Sequence, residues 1–188
     1  GKENRLCPHF HIALQSGSDE VLRGMRRIYK AQEFVDVTRK IHALAPHTFI
    51  GVDVIVGFPG ESEEAFNETL NCLDKSYWTK LHVFPFSVRK GTRAETLPNP
   101  VPADLIHERS RILRQKSDAM LEAFLQSQVG TLHEVILEKP SEKFPGLWQG
   151  HTANYCATLS AVSHHEAKKV QLSKVTGVRG ERLLTEPF

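Results

Sequence analysis

Thr48-Phe49-Ile50-Gly51-Val52-Asp53-Val54-Ile55-Val56-Gly57-Phe58-Pro59-Gly60-Glu61 is the stretch whose reading decides the fold. Residues 48–56 are rich in β-branched and aromatic side chains and predict a strand. Gly57 to Gly60 predicts a turn. Ser62 is placed to cap a helix whose first turn holds Glu63 and Glu64, with Phe66, Leu70 and Leu73 on its apolar stripe. The pattern repeats on both sides. Upstream, Pro8 to Gln15 predicts a strand, and Ser18 is placed to cap a helix begun by Asp19 and Glu20. Gln32 to Leu44 continues as helix with Phe34, Val37, Ile41 and Leu44 on one stripe, and Pro46 stops it. Downstream, Lys80 to Ser87 predicts a third strand. Strands alternating with helices imply a parallel sheet or part of a (βα) barrel.

Alternation assigns the faces of these strands. Ile50, Val52, Val54 and Val56 form a wholly aliphatic face suited to packing under helices, which turns Asp53 to the opposite side. By the same rule Phe10, Ile12 and Leu14 pack outward and His9, His11, Ala13 and Gln15 inward. In the third strand Leu81, Val83 and Pro85 pack outward and His82, Phe84 and Phe86 inward. A barrel interior is normally filled with branched apolar side chains. His9, His11, Gln15, Asp53 and His82 there predict a ligand cavity, because buried polar groups need partners. His9 and His11 share a face, yet no third metal ligand accompanies them, and no metal site is predicted. The glycine turns Gln15–Asp19 and Gly57–Glu61 lie at the C-terminal ends of strands, where sheets of this kind place their sites.

Residues 88–102 form a loop containing Pro and Gly. Pro102 suits the first turn of a long helix reaching about Gln128, and Gly130 ends it. Short β-like runs follow at 131–138, 153–162, 168–178 and 181–185. These divide the chain into an α/β domain over 1–129 and a small all-β domain over 130–188. In 188 residues, 40% are hydrophobic and 24% charged, which argues against disorder as the main state. No apolar run reaches membrane-spanning length, and no signal-peptide pattern opens the chain. The net charge of +2 leaves nucleic-acid binding open. Cys7, Cys72 and Cys156 have neither zinc nor redox spacing, and free thiols in a reducing cytosol are the expectation.

Taken together, several segments resemble the radical-SAM methylthiotransferases. They are Cys7-Pro8-His9-Phe10-His11-Ile12-Ala13-Leu14-Gln15-Ser16-Gly17-Ser18-Asp19, Met25-Arg26-Arg27-Ile28-Tyr29, Val52 to Glu61, His82-Val83-Phe84-Pro85-Phe86-Ser87 and Arg89-Lys90-Gly91-Thr92. The likeness is strong over 7–128. It continues more weakly into 130–188, which resembles the family's RNA-binding TRAM domain. The resemblance implies the C-terminal half of a radical-SAM (βα) barrel, strands four to six, followed by a TRAM-like domain. Cys7-Pro8-His9 and Thr152-Ala153-Asn154-Tyr155 look most like the branch that methylthiolates N6-threonylcarbamoyladenosine beside the tRNA anticodon. Branches acting on isopentenyladenosine or on a ribosomal-protein aspartate are the alternatives.

The resemblance also implies S-adenosylmethionine and two 4Fe-4S clusters in a full-length enzyme. The Cys-x3-Cys-x2-Cys loop that holds the first cluster is absent from this chain, as is the second cysteine set. The expectation is therefore a fragment, inactive alone, with no catalytic residue of its own and a missing N-terminal half as partner. By the family's pattern, Gln15, Ser16, Asp53, Gly57, Phe84 and Phe86 line the S-adenosylmethionine cavity. Arg26, Arg27, Arg89, Lys90, Arg93, Lys168 and Lys169 are candidate RNA contacts. RNA binding is expected to reside mainly in 130–188, where Trp148 and Tyr155 are candidate stacking residues, although that segment holds seven basic against six acidic residues. A cytoplasmic protein and a dimer through the strand edge at 8–15 are further expectations. Two competing readings are a non-catalytic RNA-binding module and an unrelated βα enzyme holding a phosphate at its glycine turns.

Overall fold

The computed structural model describes residues 6–162 and 169–188. Contacts divide the chain into two compact units. One comprises residues 10–46 and 50–119, the other residues 1–9, 47–49 and 120–188.

The first unit is built on β1 (His9–Gln15), β2 (Phe49–Val56) and β3 (Lys80–Pro85), in the sheet order β1-β2-β3. β2 and β3 run parallel, with Asp53 opposite His82 and Ile55 opposite Phe84. The helices are α1 (Asp19–Gly24), α2 (Ala31–Leu44), α3 (Glu63–Asp74) and the first part of α4 (Ala103–Ser127). The aliphatic face of β2 is where alternation puts it. Ile50, Val52, Val54 and Val56 are all buried, in one core with Leu14, Phe34, Phe66, Leu73, Trp78, Leu81 and Leu113. Each such side chain contributes about 1.5–3 kcal/mol by leaving water.

α3 starts as its sequence dictates, with the Ser62 hydroxyl accepting the Ala65 N–H at 3.1 Å. Ser18 precedes α1 but makes no side-chain cap, contrary to expectation. Its neighbour Asp19 instead accepts the Ala31 N–H at 2.9 Å and so caps α2, while the Glu33 carboxylate accepts the Lys30 N–H at 3.0 Å. The stripe of α2 also differs from the expected one. Phe34, Val35 and Thr38 are buried and Ile41 packs against the core, whereas Val37 and Leu44 face solvent. Phe10, expected to pack outward, is exposed as well.

The second unit holds a closed five-stranded barrel in the order β4-β5-β6-β8-β7. Its strands are β4 (Leu132–Pro140), β5 (Trp148–Thr152), β6 (Ala157–Ser160), β7 (Val170–Arg179) and β8 (Arg182–Pro187). All pairs are antiparallel except β6 with β8, which is parallel. β5 is absent from the expected runs. Gly150 explains its place, because a Cβ there would fall 1.9 Å from the Ile136 carbonyl oxygen beside an irregularity in the β4–β5 register. Val135, Leu137, Leu159, Val175 and Leu183 are buried in this unit. The turn from β5 to β6 is pinned by Asn154. Its amide donates to the His47 carbonyl at 2.8 Å, and its side-chain oxygen accepts the Thr152 hydroxyl. No helix among the described residues is long and apolar enough to cross a membrane.

Candidate functional site

The first unit carries an open cleft of about 470 Å³ along the exposed face of its sheet. Gln15, Asp53, Ile55, Phe84, Phe86 and Arg89 line it, together with Pro85, Ser87, Thr92 and Ala94. Each strand supplies side chains at or toward its C-terminal end, which is where the alternation of residues predicts a cavity.

Gln15 reaches the cleft by a strained turn. Its φ is 66°, and the Ser16 N–H donates to the Leu14 carbonyl at 2.9 Å, so the chain reverses over three residues. A residue with a side chain pays about 1–3 kcal/mol for such a conformation. Two clamps hold it. The Tyr29 hydroxyl donates to the Ala13 carbonyl at 2.8 Å and lies 3.0 Å from that of Leu14. Burial pushes the Tyr29 phenol above its usual range, opposed by the nearby Arg27 charge. On the other side the Thr69 hydroxyl accepts the Gly17 N–H at 3.0 Å and lies 3.3 Å from the Ser16 hydroxyl. Gly17 has to be glycine, since a Cβ there would sit 2.5 Å from the Thr69 Cα.

Asp53 stands at the middle of the floor. His11 Nε2–H donates to its Oδ1 at 2.7 Å. The His11 ring stacks on that of His82 with centroids 5.0 Å apart. Gly51 lies under that stack, where an added Cβ would make ordinary contact with both imidazoles at 3.6 Å. Phe84 is half exposed in the wall, and Phe86 packs edge-on against Phe58 at 5.4 Å. A carboxylate and a carboxamide framed by aromatic and aliphatic walls suit a nucleoside-like ligand. Hydroxyl or ammonium donors would meet Asp53, and a planar base would lie against phenylalanine.

Two of the six expected lining residues stand behind the cleft. Ser16 is fully buried and belongs to the Thr69 clamp. Gly57 has φ 83°, lies against Ile106, and donates its N–H to Glu61 Oε1 at 3.2 Å. His9, expected on the inward face with His11, instead belongs to the second unit, beside Phe49 and Tyr155. Lys90, Arg93 and Lys169 are exposed, and Lys168 lies outside the described residues.

The pair Glu61–Arg109 escaped the sequence reading. Arg109 Nη1 donates to the Glu61 carboxylate at 2.6 Å and to the Glu61 carbonyl at 3.0 Å, with both side chains at most 4% exposed. Burial pushes the Glu61 carboxyl above the usual carboxylate range, against the pull of Arg109 and of the Gly57 N–H. The pair ties α4 to the turn after β2. Its residues are 48 apart, and no local pattern marks such a partnership.

The cysteines do not suit an iron–sulfur cluster. Cys7 is exposed, while Cys72 and Cys156 are buried. Burial pushes the thiol of Cys72 up to about 11 and that of Cys156 up to about 12. Among the described residues no group of three or more His, Cys, Asp or Glu is disposed to hold a metal ion.

The profile of the radical SAM superfamily matches residues 2–73. The tRNA-2-methylthio-N(6)-dimethylallyladenosine synthase of Corynebacterium glutamicum is 38% identical over 133 residues, covering 71% of this chain and 26% of that protein. The threonylcarbamoyladenosine tRNA methylthiotransferase MtaB of Thermotoga maritima is 39% identical over 134 residues, covering 71% and 31%. A Coxiella burnetii protein with the first of these names is 36% identical over 153 residues, covering 81% and 35%. The chain thus spans about a quarter to a third of the length of these curated relatives.

Proposed function

Because the chain belongs to the radical-SAM methylthiotransferase family, we propose that it is the part of a tRNA-modifying methylthiotransferase that walls the S-adenosylmethionine cleft and receives the RNA. The convergence of Gln15, Asp53, Phe84 and Phe86 on one cleft carries this reading. Asp53 accepts hydrogen bonds from the ribose hydroxyls, Gln15 offers its amide to the polar edge of the ligand, and Phe84 and Phe86 cover the adenine. When bound, S-adenosylmethionine supplies the methyl group and the radical chemistry of the family. The residues of this chain bind and orient it and keep water from its apolar side. The 4Fe-4S ligands belong to sequence outside this chain, so the chain is inactive alone.

The three-stranded unit is read as strands four to six of a radical-SAM barrel, and the closed five-stranded barrel as a TRAM-like domain offering a second surface to RNA. The substrate we favour is N6-threonylcarbamoyladenosine beside the anticodon. The motifs at 7–9 and 152–155 support it, as does the likeness to the MtaB protein. Comparable identity to dimethylallyladenosine synthases supports isopentenyladenosine as the second reading.

Saturation-transfer NMR on S-adenosylmethionine with this chain tests the cleft. Transfer to the adenine protons is expected, with binding about tenfold weaker in Asp53→Asn and Phe84→Ala. No transfer, or equal transfer in parent and variants, refutes the assignment. Replacing the matching segment of the Thermotoga maritima relative with this chain, followed by mass spectrometry of tRNA nucleosides, separates the two substrates.

A further inference from the structure

We infer that the mouth of the cleft is a two-loop clamp for RNA phosphates, and that it carries more of the backbone contact than the small barrel does. The inference rests on the proposed function in taking RNA as the substrate.

Two loops of the α/β unit carry the basic residues. Residues 89–97 follow β3 with Arg89, Lys90 and Arg93 and line the cleft through Arg89, Thr92 and Ala94. Residues 23–29 leave α1 with Arg23, Arg26 and Arg27 and are tied through Tyr29 to the end of β1 next to Gln15. All six side chains are exposed. Among the described residues none of the six is in an ion pair. The two segments hold six basic residues against one acid, Glu95, whereas the whole chain has a net charge of only +2. The rest of the chain is therefore net negative, and the positive field is concentrated at this rim. Across 130–188 the balance is seven basic to six acidic. Arg179 and Lys143 of that segment both lie over the Phe144 ring, at 4.2 and 5.6 Å from its centroid.

The loops share one seat. Phe58, Val21 and Ala65 form a buried cluster, and Met25 from the first loop packs on it together with Ala94 and Leu97 from the second and with Phe86 at the end of β3. Gly24 allows the close approach, since a Cβ there would meet the Phe58 ring at 3.1 Å. The rim is thus held as a single piece. The second loop is tied internally by the Thr92 hydroxyl donating to the Arg89 carbonyl and by Glu95 accepting the Gly91 N–H. The lone acid is in this way turned onto the backbone of its own loop.

The first loop begins as the cap of α1. Arg26 takes φ 58° because the helix ends in a Schellman motif, its N–H donating to the Arg23 carbonyl and that of Arg27 to the Leu22 carbonyl. Ile28 beside it is fully exposed. Tyr29 fastens the loop to the end of β1 beside Gln15, so the arginines and the floor of the cleft are fixed to one turn. An adenosine entering the cleft brings its neighbouring phosphates to this rim, where guanidinium groups match them with bidentate hydrogen bonds.

The test is fluorescence anisotropy of a labelled anticodon stem-loop RNA against the 188-residue chain across a potassium chloride series. The plot of log affinity against log salt should lose about 1.5 from its slope in Arg26→Gln/Arg27→Gln, and equally in Arg89→Gln/Lys90→Gln, two phosphate contacts each. Lys139→Gln/Lys174→Gln in the barrel should change it by less than half as much. Arg26→Lys/Arg27→Lys should keep most of the slope, because the charges remain, and thermal melts confirm that each variant is folded. A larger effect from the barrel pair than from either rim pair overturns the clamp. So does parental binding in every variant, or the absence of salt-dependent binding in the parent. The S-adenosylmethionine measurement on Asp53→Asn reads the cleft separately, so the clamp can fail while that assignment stands.

Discussion

Removing Arg109 should unfold the α/β unit far more readily than its distance from the cleft suggests. Glu61 and Arg109 are both buried, and Nη1 makes two hydrogen bonds to the same residue. Arg109→Met keeps most of the aliphatic volume beside Phe66 but strands the Glu61 carboxylate. Breaking a buried pair from one side costs about 3–5 kcal/mol. With a urea m-value of about 2 kcal/mol/M, that is a midpoint drop on the order of 2 M. The buried Trp78 reports the transition by fluorescence.

The pH dependence has a definite sign. Burial raises the Glu61 carboxyl in the folded state, so folding favours its protonated form. The associated stability is present below the unfolded carboxylate pKa and is lost as pH rises through the folded one. Arg109 supplies two of the influences that hold this shift down. In Arg109→Met the shift therefore grows, and the deficit should be larger at about pH 8 than at about pH 5. Adding Glu61→Gln should recover a good part of the loss, since no charge is then left buried. A deficit below about 1 kcal/mol, or a double variant no better than the single one, would refute the reasoning.

Gly150→Ala should destabilise the barrel by about 1–3 kcal/mol or more, because the added carbon has to displace the β4 backbone at Ile136; chemical denaturation followed through Trp148 reads it. Thiol labelling of the folded chain at about pH 8 should modify Cys7 quickly and Cys72 and Cys156 at least a hundredfold more slowly, since thiols raised to about 11 and 12 are thiolate in about one molecule in a thousand or fewer. Rapid reaction at all three would mean that both interiors open freely.

Period-two alternation was enough to place Ile50, Val52, Val54 and Val56 in the core and Asp53 on the opposite face, because β2 lies between two neighbours under helices. It also brought Gln15, Phe84 and Phe86 to one cleft. Ser16 and Gly57 lie outside the lining of that cleft, the hydroxyl meeting Thr69 and the glycine N–H meeting Glu61. Alternation tells which face a residue takes, and says nothing of how far the chain has turned after the last paired residue. The α2 stripe shifted because Thr38 is buried, its hydroxyl bonded to the Val35 carbonyl and to the Tyr77 N–H, a partnership invisible to hydropathy. β5, Trp148-Gln149-Gly150-His151-Thr152, carries little strand propensity of its own and is held by β4 and β6. Long-range pairs such as Glu61–Arg109 leave no trace in local spacing.

The closure of the barrel has a kinetic consequence. β8 forms two seams at once, parallel to β6 and antiparallel to β7. Until residues 182–187 have left the ribosome, β6 and β7 each present an unpaired edge, and no arrangement of the earlier strands removes both. β7 and β8 form a tight hairpin through Arg179 and Arg182, so the rate of closure is set by joining that hairpin to β6 and to β4 across the sequence. A nascent or clipped chain lacking β8 carries two open edges in place of none, which makes this strand the one whose loss turns a self-contained domain into a template for aggregation.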